Sequence, residues 1–318
     1  MRVIAKPGGL APLLAWRRIF GSLVSIGAVF TAGVSEPARA NDIQPRLFTN
    51  VPVGMNFVGV SLGHSEGNIA LDPNLAVEDL TAKIDTMGLS YARSLGLWGK
   101  SSLVSVAVPY AGVSLRATVD GEPASLDRSA MLDPSFVVAV NLSGAPAMSM
   151  EEFAGYRQKT IVGLNFKVTA PLGNYDPERV LNFGANRWSL SPELGISRRA
   201  GRFTFEAAGS VTWFSDNDEY LIDSTLEQDE ILVLRANVLY HFNKPGMWLG
   251  AGVMYWWGGG SFVDGQDRND LQKTSRVGVA LSVPLAPRHN LLFKVTEGVT
   301  ARIGADFVNF TLAYSYRF

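Results

Sequence analysis

The most regular feature of the chain is a period-of-two alternation of apolar and polar residues. Such alternation predicts β-strands with one apolar and one polar face. In the final run, the apolar parity is Val308, Phe310, Leu312, Tyr314, Tyr316 and Phe318. We place about twelve such runs at 53–63, 83–95, 101–111, 132–142, 158–171, 187–198, 202–214, 230–242, 246–257, 274–285, 289–297 and 306–318.

The connections between these runs alternate in length. The short ones are 96–100, 199–201, 243–245 and 286–288, and the long ones are 64–82, 112–131, 172–186, 215–229 and 258–273. Short periplasmic turns alternating with long external loops are typical of bacterial outer-membrane barrels. The fold class predicted is therefore all-β, a transmembrane antiparallel up-and-down β-barrel of about twelve strands. A soluble β-sandwich shares much of the composition but is not expected to sort its loops by length.

Two connections depart from this pattern. The one after 289–297 is short although it falls in an external position, and 143–157 is long although it falls in a periplasmic one. The longer connection contains Ser149-Met150-Glu151-Glu152, a capping box that predicts a short helix.

Aromatic residues lie near the ends of the runs, on the apolar parity. Amphipathic rings favour the two membrane interfaces, whereas a soluble protein would bury them in its core. We expect an external girdle of Tyr110, Trp188, Trp213, Tyr255 and Trp257, and a periplasmic girdle of Phe203, Tyr240, Phe242, Tyr316 and Phe318. A C-terminal Phe also resembles the signal read by the barrel-assembly machinery, which makes that machinery an expected partner. Closure of the barrel requires run 306–318 to pair with run 53–63.

The N-terminus has the features of a secretory signal. Arg2, Lys6, Arg17 and Arg18 are followed by an apolar stretch and by Ala38-Arg39-Ala40, an A-x-A cleavage site. We therefore expect a cleaved signal peptide at 1–40 and an outer-membrane barrel at 41–318. The segment 41–52, between the signal and the first run, is a candidate for a small plug inside the lumen.

Composition excludes several other classes of protein. The chain has 318 residues, a net charge of −1 and no cysteine, so it offers neither a disulfide framework nor a thiolate metal site. Nucleic acid is not expected as a partner, because no basic patch is present. No segment after the signal is apolar for long enough to predict a membrane helix. We expect no cofactor and no bound metal, although calcium binding by the acidic external loop near Asp216, Asp218, Glu219 and Asp223 is an alternative.

The polar parity of several runs carries charges that would face the lumen. Lys167, Glu193, Glu206 and Arg235 lie on four successive runs and are expected to form a ladder of pairs between neighbouring strands. The ladder either fills and rigidifies the barrel or lines a constriction that selects solutes. The other lumen-lining candidates are Asn165, Arg187, Asn237, Arg276 and Lys294. Pro192, within its run, predicts a β-bulge that aims Glu193 at the lumen.

Catalytic residues are not expected. An outer-membrane lipid hydrolase would need a Ser/His pair on one face, but His64 and Ser65 are adjacent and so lie on opposite faces of a strand. The other two histidines, His241 and His289, fall at periplasmic strand ends, far from His64.

Several sequence strings resemble the transporter family labelled "putative meta-pathway of phenol degradation". They include QKTIVGLNFKVTAPLGNYDP (158–177), NFGANRWSLSPELGIS (182–197), FEAAGSVTWFSDN (205–217) and YHFNKPGMWL (240–249). The resemblance implies a barrel in the outer membrane of a Gram-negative bacterium, embedded in lipid. It also implies passive uptake of small hydrophobic or aromatic compounds, without catalysis. A non-conducting structural barrel is the alternative function.

Overall fold

The computed structural model describes residues 43–70, 77–119, 122–179, 182–301 and 304–318. The predicted signal peptide, 1–40, lies outside these residues. So do residues 41 and 42, and residues 302 and 303 between the last two strands.

Twelve antiparallel strands close into a single barrel, which confirms the predicted fold class. In order around the wall they are β1 (Asn56–Ala70), β2 (Val77–Leu97), β3 (Lys100–Val119), β5 (Ser135–Ser143), β6 (Thr160–Thr169), β7 (Ser189–Ala200), β8 (Phe203–Phe214), β11 (Ile231–His241), β12 (Trp248–Gly258), β15 (Gln272–Ala286), β16 (His289–Ala301) and β17 (Gly304–Arg317). The remaining strands are β4 (Glu122–Met131), β9 (Asn217–Tyr220), β10 (Ser224–Gln228), β13 (Ser261–Val263) and β14 (Gln266–Asp267).

The barrel closes where the first strand pairs with the last. Val60 lies opposite Tyr314 in a register that runs from Phe57 opposite Arg317 to Ala70 opposite Gly304. At the periplasmic end, the Asn56 N–H donates to the Phe318 carbonyl and the Phe318 N–H donates to the Asn56 carbonyl, each at 2.9 Å. The predicted pairing of the first and last runs is therefore confirmed.

The outside of the barrel is an apolar belt. Outward side chains such as Leu62, Leu194 and Phe310 are more than half exposed, at 54%, 55% and 52%. Such a continuous apolar surface is stable in lipid and not in water. The predicted girdle aromatics face outward; the most exposed are Trp188 at 54% and Phe318 at 51%.

Several strands extend past the apolar belt on the external side. β2 has 21 residues and β3 has 20, about twice the 9–11 that a tilted strand needs to cross a membrane. In the extensions the outward face is charged: Lys83 pairs with Glu66 at 2.8 Å and Arg116 with Asp127 at 3.1 Å. The prediction that 64–82 and 112–131 are loops is wrong for most of their lengths, because these residues continue the wall above the membrane.

Two successive strands, β4 and β5, share one position in the wall, beside β3. β3 pairs with β5 through Ser102–Ala107 and with β4 through Tyr110–Val119. Leu132, Asp133 and Pro134 separate β4 from β5. Among the described strands, β4 pairs only with β3, whereas β5 also pairs with β6.

Two predicted external loops, 215–229 and 258–273, contain short strands. β9, β10, β13 and β14 form a separate four-stranded sheet in the order β14-β13-β10-β9. This small sheet lies beyond the external ends of β8, β11 and β12. Burial raises the pKa of the Tyr220 phenol within it.

The helix predicted from the capping box is confirmed as α1 (Met150–Gly155). The Glu152 N–H donates to the Ser149 hydroxyl at 3.2 Å, and the Ser149 N–H donates to the Glu152 carboxylate at 2.7 Å. The backbone hydrogen bond from Ser149 lowers the pKa of that carboxyl. No helix within the described part of the chain is long and apolar enough to span a membrane.

The bulge predicted at Pro192 is wrong. On one side Phe166 lies opposite Pro192 and Asn165 opposite Glu193, in an unbroken register. On the other side Leu190 lies opposite Trp213 and Glu193 opposite Ser210, so the register does not shift. Pro192 is absent from the ladder to β8 because it has no N–H to donate, but neither strand contains the extra residue that defines a bulge. Ordinary strand alternation is sufficient to direct Glu193 inward.

The closing register can be tested by a disulfide in this cysteine-free chain. Ser61 and Ala313 are direct partners across β1 and β17, so Ser61→Cys with Ala313→Cys should oxidise to a cross-link. The measurement is the migration of the unheated and heated protein on non-reducing gels, with free thiols counted by alkylation. Ser61→Cys with Leu312→Cys is the control, because Leu312 points to the opposite face. Efficient cross-linking of the control, or none in the test pair, would contradict the register.

Candidate functional site

The N-terminal segment 43–52, which we call the plug, lies inside the barrel. Ile43 is 1% exposed, Phe48 3% and Asn50 4%. The plug crosses the lumen: Ile43 reaches Gly278 on β15, whereas at its other end the Val51 N–H donates to the Ser101 hydroxyl on β3 at 3.3 Å. The segment considered from sequence as a plug is therefore within the lumen, on its periplasmic side.

Two glycines form the seat of the Phe48 ring. A Cβ atom on Gly163 of β6 would lie 2.1 Å from a ring atom of Phe48, and one on Gly195 of β7 would lie equally close. Real Cβ atoms do not approach so closely, so any side chain at either position would displace the ring. The ring consequently packs directly on the inner wall, where Ala145 and Ile161 complete an apolar cluster with it.

Glu206 on β8 holds the middle of the plug. Its carboxylate accepts a hydrogen bond from the Arg46 N–H at 2.9 Å. The same carboxylate accepts from the Asn237 amide and from the Ser197 hydroxyl, both at 3.4 Å. Arg46 has a φ of 64°, a left-handed conformation that is uncommon for a residue with a side chain. The Arg46 guanidinium donates to the Thr49 hydroxyl at 3.1 Å, within the plug.

Glu193 and Arg235 form an ion pair across the inner wall. Their side chains are only 3% and 8% exposed. The two residues lie on β7 and β11, which are separated by β8, so the pair spans a strand. The intervening residues Ala208 and Ser210 are small, which leaves room for Arg235 to cross. The predicted ladder between neighbouring strands is therefore wrong: one bridge skips a strand, and Glu206 binds the plug instead.

A cavity adjoins this ion pair and is open to the rest of the lumen. Its volume is about 50 Å³. Its lining residues are Gln44, Asn165, Lys167, Ser191, Glu193, Ser210, Thr212, Ile231, Val233 and Arg235. We call this the lumen cavity. It brings together predicted residues from β6, β7 and β11 with one residue of the plug.

One wall of the lumen cavity is apolar. Ile231 and Val233 on β11 belong to a buried cluster with Met254 and Trp256 on β12, and Phe214 packs against it. The sequence pattern did not single out these residues, because the inner faces of their strands were expected to be polar. Their signal was present in the alternation, since they share the inward parity with Arg235 and Asn237.

The remaining predicted residues lie at different levels of the inner wall. Asn165 and Asn237 are 8% and 7% exposed. Arg276, 6% exposed, donates to the Thr296 hydroxyl at 3.4 Å. Lys294 is on the inward parity of β16, opposite Ala280 on β15.

Arg187 lies higher, at the external end of β7. Its guanidinium carbon is 4.6 Å from the centre of the Phe214 ring, and it donates a hydrogen bond to Gln228 on β10. Arg187 therefore joins the barrel to the small external sheet and is not part of the lumen cavity.

The external mouth is covered by the connection between β6 and β7. The Asp133 carboxylate, fully buried, accepts from the Gly173 N–H at 2.8 Å and from the Ala185 N–H at 2.7 Å. Phe183 of this connection is 4% exposed and packs into an apolar cluster. The other buried members of the cluster are Leu80, Ala82, Ile84, Ala111, Val113, Leu115, Leu132 and Phe307. The loop thus closes an apolar external vestibule.

The geometry does not assemble a hydrolase. His64 contacts the Asp85 carboxylate at 2.7 Å on the outer surface, whereas Ser65 is 8% exposed and faces inward. Within the described residues, no group of three or more His, Cys, Asp or Glu side chains is arranged to hold a metal ion.

A closed barrel with an apolar outer belt, aromatic girdles and a polar, plugged lumen defines an outer-membrane β-barrel protein. The chain belongs to the family described as "Putative MetA-pathway of phenol degradation", which matches residues 62–314. It is a protein of the bacterial outer membrane.

Solved structures of other outer-membrane proteins have similar folds. The COG4313 outer membrane channel from Pseudomonas putida F1 has a TM-score of 0.73 at 20% identity, over 87% of this chain and 100% of that one. The transport unit of the autotransporter AIDA-I from Escherichia coli has a TM-score of 0.52 at 8% identity, over 93% and 99%. At these identities the likeness concerns the fold. No curated protein sequence matches the chain.

The buried ion pair should contribute to stability. Glu193→Gln leaves the Arg235 charge buried beside a neutral group, and we expect a loss on the order of 3 kcal/mol in the free energy of unfolding. Glu66→Gln, which breaks an exposed pair with Lys83, should cost much less, because solvent screens the pair. Urea unfolding in lipid vesicles, followed by tryptophan fluorescence, measures both changes. Equal losses in the two variants would refute the assigned burial of the pair.

Proposed function

We propose that this protein is a channel for passive uptake of small hydrophobic or aromatic compounds across the outer membrane. The observation that carries the proposal is the lumen cavity, in which Ile231 and Val233 form an apolar wall within an otherwise polar barrel interior. Such a surface accommodates an aromatic ring inside a protein that water can enter. The family description, which refers to phenol degradation, is consistent with solutes of this kind.

The plug closes the periplasmic side of the pathway. Phe48, Leu239 and Trp248 are 3%, 0% and 5% exposed, so this part of the lumen is packed. Passage therefore requires the plug to move. It is held by the seated Phe48 ring, by the buried Ile43 side chain and by hydrogen bonds, with no covalent link, so movement does not require the barrel to unfold.

The same packing favours a second candidate, a structural barrel that conducts nothing. A barrel of this size can be filled by its own side chains. The two functions differ in one measurable property, which is flux through the purified protein. We favour the channel because the lumen cavity leaves space inside the barrel, between the plug and the covered external mouth.

Weakening the plug should increase flux. Phe48→Ala removes the seated ring, and deletion of residues 43–50 removes the barrier itself. We expect both variants to conduct more often than the native protein in planar bilayers and to accelerate solute entry into liposomes. Phe203→Ala, which removes an exposed ring from the outer face, is the matched control and should not change flux. If the native and deleted forms both carry neither ions nor solutes, the structural barrel is the correct function.

We also propose that the barrel-assembly machinery reads Phe318. The residue ends the closing strand at the periplasmic rim, with its ring stacked 5.7 Å from that of Tyr316. Phe318→Ser should lower the amount of heat-modifiable barrel in outer-membrane fractions. Phe242→Ser alters another exposed periplasmic aromatic and should have a smaller effect. Equal yields from the two variants would remove the special role of the terminal residue.

A further inference from the structure

The charged side chains inside the barrel are unequal in sign. Among the described residues of the inner wall and plug, the carboxylates that face the lumen are Glu193 and Glu206. The Asp133 carboxylate lies farther out, buried at the external mouth, where two backbone N–H groups donate to it. The basic side chains of the inner wall and plug outnumber these carboxylates and are Arg46, Lys167, Arg199, Arg235, Arg276 and Lys294. The whole chain, in contrast, is slightly negative, with a net charge of −1. Basic residues are therefore concentrated in the interior of this barrel.

Both lumen carboxylates are neutralised by nearby groups of the protein. Glu193 forms the buried ion pair with Arg235. Glu206 accepts the Arg46 N–H, the Asn237 amide and the Ser197 hydroxyl, and the charge of Arg46 lies near it. Once these two pairs are discounted, the net charge along the pathway remains positive.

Several of the positive charges lie beside the apolar wall. Met254 on β12 is the register partner of Arg235 on β11 and of Arg276 on β15. Two strand spacings separate the arginines, or about 10 Å, and the apolar cluster that contains Met254 lies between them. Lys167 on β6 lines the lumen cavity together with Ile231 and Val233 on β11. An apolar surface and positive charges thus meet in one space.

We propose that the lumen selects small organic anions that carry an apolar ring, and specifically aromatic monocarboxylates. This inference rests on the proposed channel function and names the solute class of the same pathway. The ring of such a solute contacts the apolar wall, and its carboxylate interacts with the field of Lys167 and Arg276. An aromatic cation of equal size meets the same wall but is repelled by that field.

The acidic residues on the external surface do not reverse this selection. Asp216, Asp218 and Glu219 are exposed to bulk solvent at the outer end of the molecule. Salt screens exposed charges over roughly 8–10 Å at physiological ionic strength. Charges in a narrow interior with low-dielectric walls are screened less and control the field along the pathway.

The first test measures ion selectivity. The full mature protein is placed in planar bilayers under a potassium chloride gradient, and the reversal potential gives the chloride-to-potassium permeability ratio. Liposome uptake of benzoate, benzyl alcohol and benzylammonium then compares solutes of similar size and different charge. We expect chloride to permeate better than potassium, and benzoate to enter faster than benzylammonium.

The second test removes the charges one at a time. Arg276→Gln and Lys167→Gln should each lower the chloride-to-potassium ratio by more than about tenfold, as expected for one unit charge about 10 Å from the permeating ion in an effective dielectric of about 20. Arg276→Lys keeps the charge and should retain the selectivity, which separates charge from folding. Lys273→Gln is the matched control: it removes a positive charge from the same strand on the exposed outer face and should change nothing.

The outcomes separate this inference from the channel function. Flux that prefers potassium and benzylammonium, or that Arg276→Gln and Lys167→Gln leave unchanged, overturns the anion selectivity and leaves the channel intact. The absence of any ion or solute flux, in native and plug-deleted forms alike, overturns both.

Discussion

The hydrogen-bonded ladder between β1 and β17 is the constraint on which the rest of the structure depends. A sheet edge in lipid would leave a row of N–H and C=O groups without partners, at a cost of several kcal/mol for each group. Closure removes both edges within the membrane, where each of the twelve strands is paired on both sides. It also fixes which parity of each strand faces lipid, since a slip of one residue would turn every apolar side chain inward. The belt, the girdles and the charged lumen all follow from that register.

Much of the fold was predictable because the membrane imposes one rule on every strand. Strand number, closure, girdle aromatics and the capped helix were each indicated by local patterns and are confirmed. The external extensions were not predicted, because above the membrane the apolar side chains face the interior and the polar side chains face water. There Leu80, Ala82 and Ile84 face inward while Lys83 and Asp85 face water. Alternation persists with the opposite sense, and a search for apolar-outside runs ends at the membrane boundary.

The lumen was predictable residue by residue but not in its contacts. Inward parity placed Asn165, Glu193 and Arg276 on the inner wall, because alternation is a local property. The pairing of Glu193 with Arg235 depends on small residues on the strand between them, and the role of Glu206 depends on a distant N-terminal segment. Such contacts join residues far apart in sequence, and one sequence carries no direct signal for them. The requirement for glycine at 163 and 195 likewise becomes clear only from the position of the Phe48 ring.

The position of the plug has a consequence for the order of assembly. The plug directly precedes β1, the strand that must wait for β17 before the wall can close. Its contacts with Gly163, Gly195 and Glu206 lie on strands made in the middle of the chain. Wall closure and plug seating therefore involve the same end of the polypeptide. Once β1 and β17 have paired, the plug is confined inside the barrel and blocks its lumen. In a newly made barrel the wall thus closes and the lumen is blocked in linked steps, which limits leakage across the membrane during biogenesis.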